Sequence, residues 1–589
     1  MKNSVKSERK RNRRSILLLA GLLAGGIGIG TLSNVLTSED KLPVASDAVT
    51  GTPDFDGRAQ LNAMSQIEDI SIYDADVEES VIHFYVTVRY GSEARGTNHT
   101  FSEVNNVVRF ADGAHVENDV YAEALVQVGD ETGPVAGMFG YGETESNATI
   151  RVRGSSSTAA RVKSYKLSLD ENAGTWRGQS NIALNKHAYE PTRLRNKLYF
   201  DLLKEIPEVP SIRTQFVVLH IKDETSGATE FIDYGLYTQA EVPTKKYLRN
   251  HGMDADGYLY KVIAFNWETN EAIKNTDDPD YDAVAMETVI SNRGREDNEK
   301  LIKLVEAVND KSLDINEILD TYFDRENYVT WLAYNILMGN MDTTMQNYYL
   351  YSPLNGDKWY FIPWDGDASL TWVQREATGE AKDYGAWECG ISNYWNILLH
   401  QRYLKYASNR EELAGKVENL YKRINESLDD RVKKYDAVVS PYVLSMPDLL
   451  YLGATPEERA YYVSSLKESL TVSYEKFRAS LVALMPFWSY AVVQEDGNIV
   501  FSWGEAFDFQ GKTLTYDLTV SRYPDMREPV LEANHISTFS YTLSEKELPA
   551  GKYYIRMVAR SSDGRSVGTC NKISVDGIAY PGVLDFVIE

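Results

Sequence analysis

Four residues between positions 342 and 367 have the types and spacing of a metal-assisted group-transfer site: Asp342, Asn347, Asp365 and Asp367. Asn347 follows Asp342 by five positions and Asp365 follows it by twenty-three, within the phrase WDGD that also holds Asp367. Carboxylates and amides are hard oxygen donors of the kind magnesium accepts. Moving a γ-phosphoryl group means neutralising charge on several oxygens at once, which a held magnesium ion does. On this reading Asn347 and Asp365 hold the metal, and Asp367 adds a metal contact or a hydrogen bond behind it. Asp342 orients an acceptor and takes its proton as the phosphoryl group arrives.

The elements around these residues agree with that chemistry. The stretch ENYVTWLAYNILMGN (326–340) reads as a helix leading into Asp342, and NYYLYSPLNGDKWYFIPW (347–364) reads as two strands about an Asn-Gly turn. Helix, acid, amide, hairpin and second acid follow the order of a kinase catalytic loop and metal-binding Asp, and such a hairpin would turn both carboxylates toward one cavity. As turn formers alone, the same residues would need all of these features to coincide. Upstream, a strand ends in VRGSSS (152–157), where backbone N–H groups of Gly154, Ser155 and Ser156 could face phosphates and Lys163, opening the next strand, could reach the same oxygens. Lys166 and Lys186 compete for that role, while Lys186 and Arg195 could equally pair with carboxylates. Glu241, in GLYTQAE, stands either near the nucleotide or as an exposed strand-end acid.

Strands are expected at VIHFYVTVRY (81–90), NATIRVRG (147–154), KSYKLSL (163–169), FVVLHIKD (216–223) and Gly-Leu-Tyr (235–237), with a helix over 191–206. Helical blocks follow at about 284–338 and 399–486. From about 492 alternating strands return, with Trp503 and LPAGKYYIRMVARSSDG in the manner of a fibronectin type III or related immunoglobulin-like sandwich. At the other end residues 1–14 are basic and 16–32 apolar, so residues 1–37 read as a signal anchor or signal peptide that places the bulk of the chain outside the cell membrane, either anchored through 16–37 or secreted to the surface. Residues 38–59 have linker composition.

Bulk properties narrow the classes further. The 589 residues carry 61 Lys and Arg against 86 Asp and Glu, a net charge of −25, which argues against a nonspecific hold on nucleic acid and leaves a polyphosphate dependent on local cations or a metal. Two cysteines, Cys389 and Cys570, exclude a disulfide framework. Paired-histidine zinc motifs and a G-x-S-x-G elbow are absent, so zinc enzymes and serine hydrolases have little support.

RGSSS with KSYKLSL, RLRNKLYFDLL, YGLYTQAE and NYYLY through KWYFIPWDGD resemble the CotH family, kinase-fold proteins first associated with bacterial spore coats, over about 145–375. The resemblance implies an α+β, atypical protein-kinase-like fold: a β-rich N-lobe at about 60–265 and a helical C-lobe at about 266–488, here with an N-terminal membrane helix and a C-terminal β-sandwich (492–589). It further implies ATP, magnesium or manganese, and a protein substrate, with Asp342 as catalytic acid-base residue, Asn347 and Asp365 as metal ligands and Lys163 as nucleotide lysine. The sequence departs from a protein kinase in having no His-Arg before Asp342 and no Gly-x-Gly-x-x-Gly loop. Those departures leave room for another ATP-dependent transfer, AMPylation or glutamylation, or for a non-catalytic surface scaffold.

Overall fold

The structure, a computed structural model, describes residues 67–74, 76–111, 114–115 and 119–588. The basic and apolar N-terminal segment and its linker therefore lie outside the described residues. No helix among the described residues is long and apolar enough to cross a membrane.

Eight strands form the first sheet: β1 (Val81–Arg89), β2 (Ala122–Asp130), β3 (Gly133–Pro134), β4 (Ala148–Arg153), β5 (Ser164–Leu169), β6 (Asn181–Asn185), β7 (Thr214–Asp223) and β8 (Ile232–Glu241). They run in the order β1-β7-β8-β6-β5-β4-β2-β3, and β1 also pairs with β2, so the sheet closes into a ring. Closure removes the edges that an open sheet exposes. Alternation sets the two faces. Along β4 Ala148, Ile150 and Val152 are buried while Thr149, Arg151 and Arg153 remain partly open. Phe84, Val86, Val126, Ile150, Leu167, Leu184 and Leu219 fill the ring as one apolar cluster.

After β6 the chain enters α1 (Arg195–Leu203), every residue of which is buried. The sequence places that helix start near Pro191. It begins later because His187 and Arg193 take left-handed backbone, with φ of 49° and 61°, and the Glu190 carboxylate accepts from the Thr192 N–H at 2.7 Å. A second sheet, ordered β10-β9-β11-β12, consists of β9 (Tyr258–Val262), β10 (Ile290–Asn292), β11 (Tyr348–Ser352) and β12 (Tyr360–Pro363). The expected hairpin is there, but residues 353–359 connect its strands and Asn355-Gly356 is only part of that loop. The expected helical stretch over 284–338 is broken into Ala283–Val289, Glu299–Asn309, Ile315–Tyr322 and α2 (Arg325–Met338).

Beyond the hairpin come α3 (Trp372–Thr378), the 37-residue α4 (Ala407–Val443) and α5 (Leu466–Ser480). At 1.5 Å per residue α4 is about 55 Å long. It buries Leu413, Val417, Leu420, Ile424, Leu428, Val432, Tyr435, Val439 and Val443, a single stripe at helical spacing. Near its start Glu412 pairs with Arg325 of α2 at 2.8 Å. Near its end Tyr435 donates to Asp201 of α1 at 2.6 Å and to Glu78 at 2.8 Å, and its ring meets Phe216 of β7 edge-on. One helix thus touches both the helical lobe and the ring.

Residues 493–588 form two small antiparallel sheets and a hairpin around Ile499, Phe501, Trp503, Tyr516, Leu518, Tyr553 and Met557. This β-rich region is consistent with an immunoglobulin-like module. Tyr553 in LPAGKYY donates to the Pro549 carbonyl at 2.6 Å, closing a corner of the kind such sandwiches use.

At the back of the ring His251 is fully buried between two carboxylates, with Nδ1 2.6 Å from Glu68 and Nε2 2.9 Å from Glu241. Burial alone would lower its pKa. The hydrogen bonds and charges of Glu241 and Glu68 outweigh that and raise it to about 9. Because the folded value lies above the unfolded one, this stabilisation is complete below pH 6.5 and is lost as pH rises toward 9, a decline of up to roughly 3 kcal/mol. Urea unfolding across that range should show the decline in the wild-type chain and a flatter profile in His251→Gln.

Candidate functional site

Asn347 immediately precedes β11 and Asp365 stands two residues after β12, so the two occupy one end of the hairpin. Both have φ of 61°, a left-handed backbone that non-glycine residues adopt at a cost of about 1–3 kcal/mol and that clusters at functional sites. The Trp364 N–H donates to the Asn347 carbonyl at 3.2 Å, which carries the pairing one rung past the ladder.

The turn after Asp365 is fixed from three sides. Asn196 of α1 accepts from the Gly366 N–H at 2.9 Å, Asn340 donates to the Asp365 carbonyl at 3.2 Å, and Leu370 N–H donates to Met338, the last residue of α2, at 2.7 Å. Gly366 lies against the Tyr199 ring so closely that a Cβ there would stand 2.3 Å from Cγ. Asn335 accepts from the Tyr199 hydroxyl at 2.8 Å, so α1, α2 and the WDGD turn interlock through one aromatic ring. Sequence spacing alone does not reveal that glycine's role.

The carboxylates share an electrostatic environment. Asp365 is held well above the ordinary carboxylate range, first by burial and then by the charges of Asp367 and Asp342, with Arg153 and Lys261 opposing. Burial also pushes Asp367 up, but the hydrogen bond and charge of His187, a hydrogen bond from Asp365 and the charge of Arg195 bring it below its usual value. His187 Nδ1 lies 3.3 Å from Asp367 Oδ2. Asp342 sits in a 3-10 turn after the Gly339 cap and opens to solvent on one side. The protein around it, and then Asp367, raise its carboxyl, while Arg375 opposes. Thr343 braces this turn, with its hydroxyl 2.9 Å from the Asn340 carbonyl and 2.8 Å from the Tyr394 hydroxyl.

Cations from two segments act on Asp365, and a third segment adds a lysine crowded against one of them. Arg153 of β4 lies 5.6 Å from the Trp364 ring and Lys261 of β9 lies 5.9 Å from it. Lys166 of β5, paired in register with Arg151, is lowered to about 8 by burial and by the charges of Arg151, Arg153 and Arg293. Lys261 is lowered to about 8 by burial first and Arg153 next. The charges that oppose this are Asp119 for Lys166 and Asp365 and Glu287 for Lys261, and they do not outweigh burial and crowding. Cations crowded enough to lower one another's pKa suit an anion between them.

Other expected residues lie elsewhere. Gly154 and Ser155, both exposed, and the half-buried Ser156 form the turn after Arg153, with Arg109 donating to the Gly154 carbonyl at 2.7 Å. Lys163 is not brought to the acids, since its amino group donates to the Thr158 carbonyl at 2.5 Å. Lys186 is buried against Asp448 at 2.7 Å and Asp448 also accepts from the Leu236 N–H at 2.6 Å. Gly235 makes that approach possible, because a Cβ there would lie 2.0 Å from the Asp448 carboxylate. The Gly-Leu-Tyr phrase is thus an ion-pair dock. Glu241 is neither exposed nor beside these acids but belongs to the His251 pair. Arg195, the other cation with a carboxylate alternative, contacts Glu190 at 3.0 Å and Gln374 at 2.7 Å.

Magnesium is commonly held by one or two carboxylates together with substrate phosphates and waters. Asp365, Asp367 and the Asn347 amide fit that mode, and the crowding that raises Asp365 is what a cation would relieve. Among the described residues no group of three or more His, Cys, Asp and Glu forms a protein-only metal cage.

With the geometry in place, comparison adds the following. The family model for the CotH kinase protein matches residues 150–470. The inner spore coat protein H of Bacillus subtilis (strain 168) is 26% identical over 262 residues, 43% of this chain and 66% of that protein. Two solved structures are similar at 11% identity: a Helicobacter pylori proinflammatory kinase CtkA, with TM-score 0.25 over 53% of this chain and 94% of that one, and the Shewanella oneidensis MR-1 HipA, HipB and operator DNA complex, with TM-score 0.21 over 51% and 59%. Both structural likenesses are slight.

Two substitutions test the local architecture. Lys186→Met leaves Asp448 buried and unpaired, and urea unfolding should show a loss of about 3–5 kcal/mol. Gly366→Ala has to displace Tyr199, and the same measurement should give a loss of about 1–3 kcal/mol.

Proposed function

This chain belongs to the CotH kinase protein family, and we propose that it is an atypical protein kinase that uses ATP and magnesium to phosphorylate a hydroxyl on a protein of the cell surface, envelope or spore coat. The observation that carries the reading is the convergence of Asp367, Arg153, Asp342 and Lys261 on Asp365, all within electrostatic reach of it, with Lys166 crowded against Arg153. Asp365, Asp367 and Asn347 are the residues that would hold magnesium, which when bound neutralises charge on the phosphate oxygens.

The chain's own residues divide the remaining work. Arg153, Lys166 and Lys261 bind the polyphosphate, a task that an overall charge of −25 leaves to local cations. Arg153 and Lys261, both placed against Trp364, bring the charge of the ring sheet and of the second sheet to the residue just before Asp365. The turn of Gly154, Ser155 and Ser156 lies directly beyond Arg153, where its backbone N–H groups can cover the phosphates. His187 and Arg195 hold Asp367 ionised. Asp342 orients the acceptor hydroxyl and receives its proton, and its carboxyl, raised by its surroundings, is a better base than an ordinary carboxylate.

Purified protein with ATP, magnesium and labelled γ-phosphate should transfer label to itself or to envelope proteins. Asp365→Asn and Asp342→Asn should each lose at least about 100-fold in rate, the scale of a positioned acid-base or electrostatic group. Thermal unfolding should show a rise in Tm with ATP and magnesium together, of about 2.7 kcal/mol in stability at 100 times Kd, in the wild-type chain and in Asp342→Asn but not in Asp365→Asn. If no label moves and neither Tm rises, the reading is wrong. Transfer of AMP in place of phosphate would overturn the reaction while keeping the site.

A further inference from the structure

We propose that Lys572, on the C-terminal sandwich, is a positioning residue for the acceptor side of the active site, acting on Asp342 through Tyr384 and Arg375. The inference rests on the kinase reading of Asp342 and concerns how the acceptor side of that residue is shaped.

The segment between α3 and residue 396 lies between Asp342 and the sandwich. Arg375, midway along α3, is buried at 8% exposure, and among the described residues it is in no ion pair. Its guanidinium reaches the Met341 sulfur at 2.7 Å, one residue before Asp342, and is the cation that opposes the crowding of the Asp342 carboxyl. The support Arg375 does have is aromatic, with its guanidinium 4.5 Å from the Tyr384 ring centroid and 5.6 Å from that of Trp372. The same Tyr384 ring holds a second cation, the Lys572 amino group at 4.7 Å. Lys572 follows directly on the sandwich residues that pack against the helical lobe.

Two cations on one ring repel each other unless an anion is near. Glu388 supplies it: its carboxylate lies 4.0 Å from the Lys572 amino group and accepts from the Gly385 N–H at 2.7 Å, and the charges of both Lys572 and Arg375 act on it. Further along, Asn396 donates to the buried Cys570 sulfur at 2.9 Å, and Trp395 packs on Phe507 with ring centroids 5.1 Å apart. Tyr394, in the same segment, is the residue whose hydroxyl meets Thr343 beside Asp342. The sandwich therefore grips residues 384–396 at several points, and Arg375 and Tyr394 touch the turn that carries Asp342. Lys572 is the point at which that grip is electrostatic. Removing its charge strips Tyr384 of one cation and leaves Glu388 with only the Gly385 N–H and the charge of Arg375, so the ring that holds Arg375 is less firmly fixed.

The test uses the full chain. In Lys572→Met, amide hydrogen exchange should be faster than wild type in peptides covering residues 379–390, and kcat at saturating ATP should fall roughly 5- to 30-fold, the rate equivalent of one lost cation–π contact with its ion pair. KM for ATP and the Tm rise with ATP and magnesium should stay at wild-type values, because the phosphate-binding wall is untouched. Lys572→Arg should restore both exchange and kcat. Tyr384→Leu, which leaves the sandwich sequence intact, should reproduce the Lys572→Met pattern if Lys572→Met itself fails to fold. Lys552→Met, in a sandwich pair with Asp585 at 2.8 Å, should change neither readout. Unchanged exchange at 379–390 in an active enzyme overturns this inference alone, as does a fall in kcat accompanied by loss of the ATP-dependent Tm rise. A wild-type chain that transfers no phosphate overturns the kinase reading instead, and the exchange comparison then stands only as a statement about packing.

Discussion

Carboxylates that share a cleft repel one another, and the site exists because the surrounding elements hold Asp342, Asp365 and Asp367 within electrostatic reach in spite of that. The restraint begins in the backbone. Left-handed φ at Asn347 and Asp365 aims both side chains from the same end of one hairpin, and the ring of Tyr199 against Gly366 ties that end to α1 and α2. Since α1 follows β6 and α2 leads into Asp342, the acids cannot separate without disturbing both lobes. The opposing cations come from β4 and β9, and with Lys166 of β5 they too are crowded against their own kind. Acids and cations each crowded against their own kind are strained alone and relieve one another, as Arg153 and Lys261 do for Asp365.

Much of this was legible in the sequence where the signal is local. The helix, acid, amide, hairpin and WDGD are contiguous, and their order survives in the structure, as do the alternating strands that become β1, β4 and β5 and the Trp503 sandwich. What could not be read is what long-range pairing assembles. Closure of the ring depends on β1 lying parallel to β7 across more than a hundred residues, and nothing in either strand announces its partner. Lys261 sits on a strand whose neighbours are residues 290–292 and 348–352, so its place opposite Asp365 is a property of the sheet. His187 gave no motif at all; its position, in a left-handed turn that delays α1, becomes meaningful only beside Asp367.

The lysines show why type and approximate place are insufficient. Lys163 follows the serine turn as a phosphate lysine should, yet a turn carbonyl occupies it. Lys186 belongs to a buried ion pair that fastens β6 to the turn after α4. Lys166, three residues from Lys163, points from the open face of β5, where the alternation of a strand decides which side a residue serves. Three positions of chain separate a lysine held by a turn carbonyl from one on the open face of the strand.

The long helix α4 sets a mechanical limit. Near its first turns it is bolted to α2 through Arg325 and Glu412; toward its far end it is bolted to α1 and β7 through Tyr435, and just beyond lies the Lys186–Asp448 bolt. A brace fixed at both ends turns what could have been a two-leaf door into a frame, because swinging the ring away from the helical lobe would have to shear buried polar bonds at several points at once. What freedom the frame leaves near the acids lies in short loops such as the Gly154–Ser157 turn, open to solvent at Gly154 and Ser155. The spacing between the ring and the helices is therefore set when the chain folds.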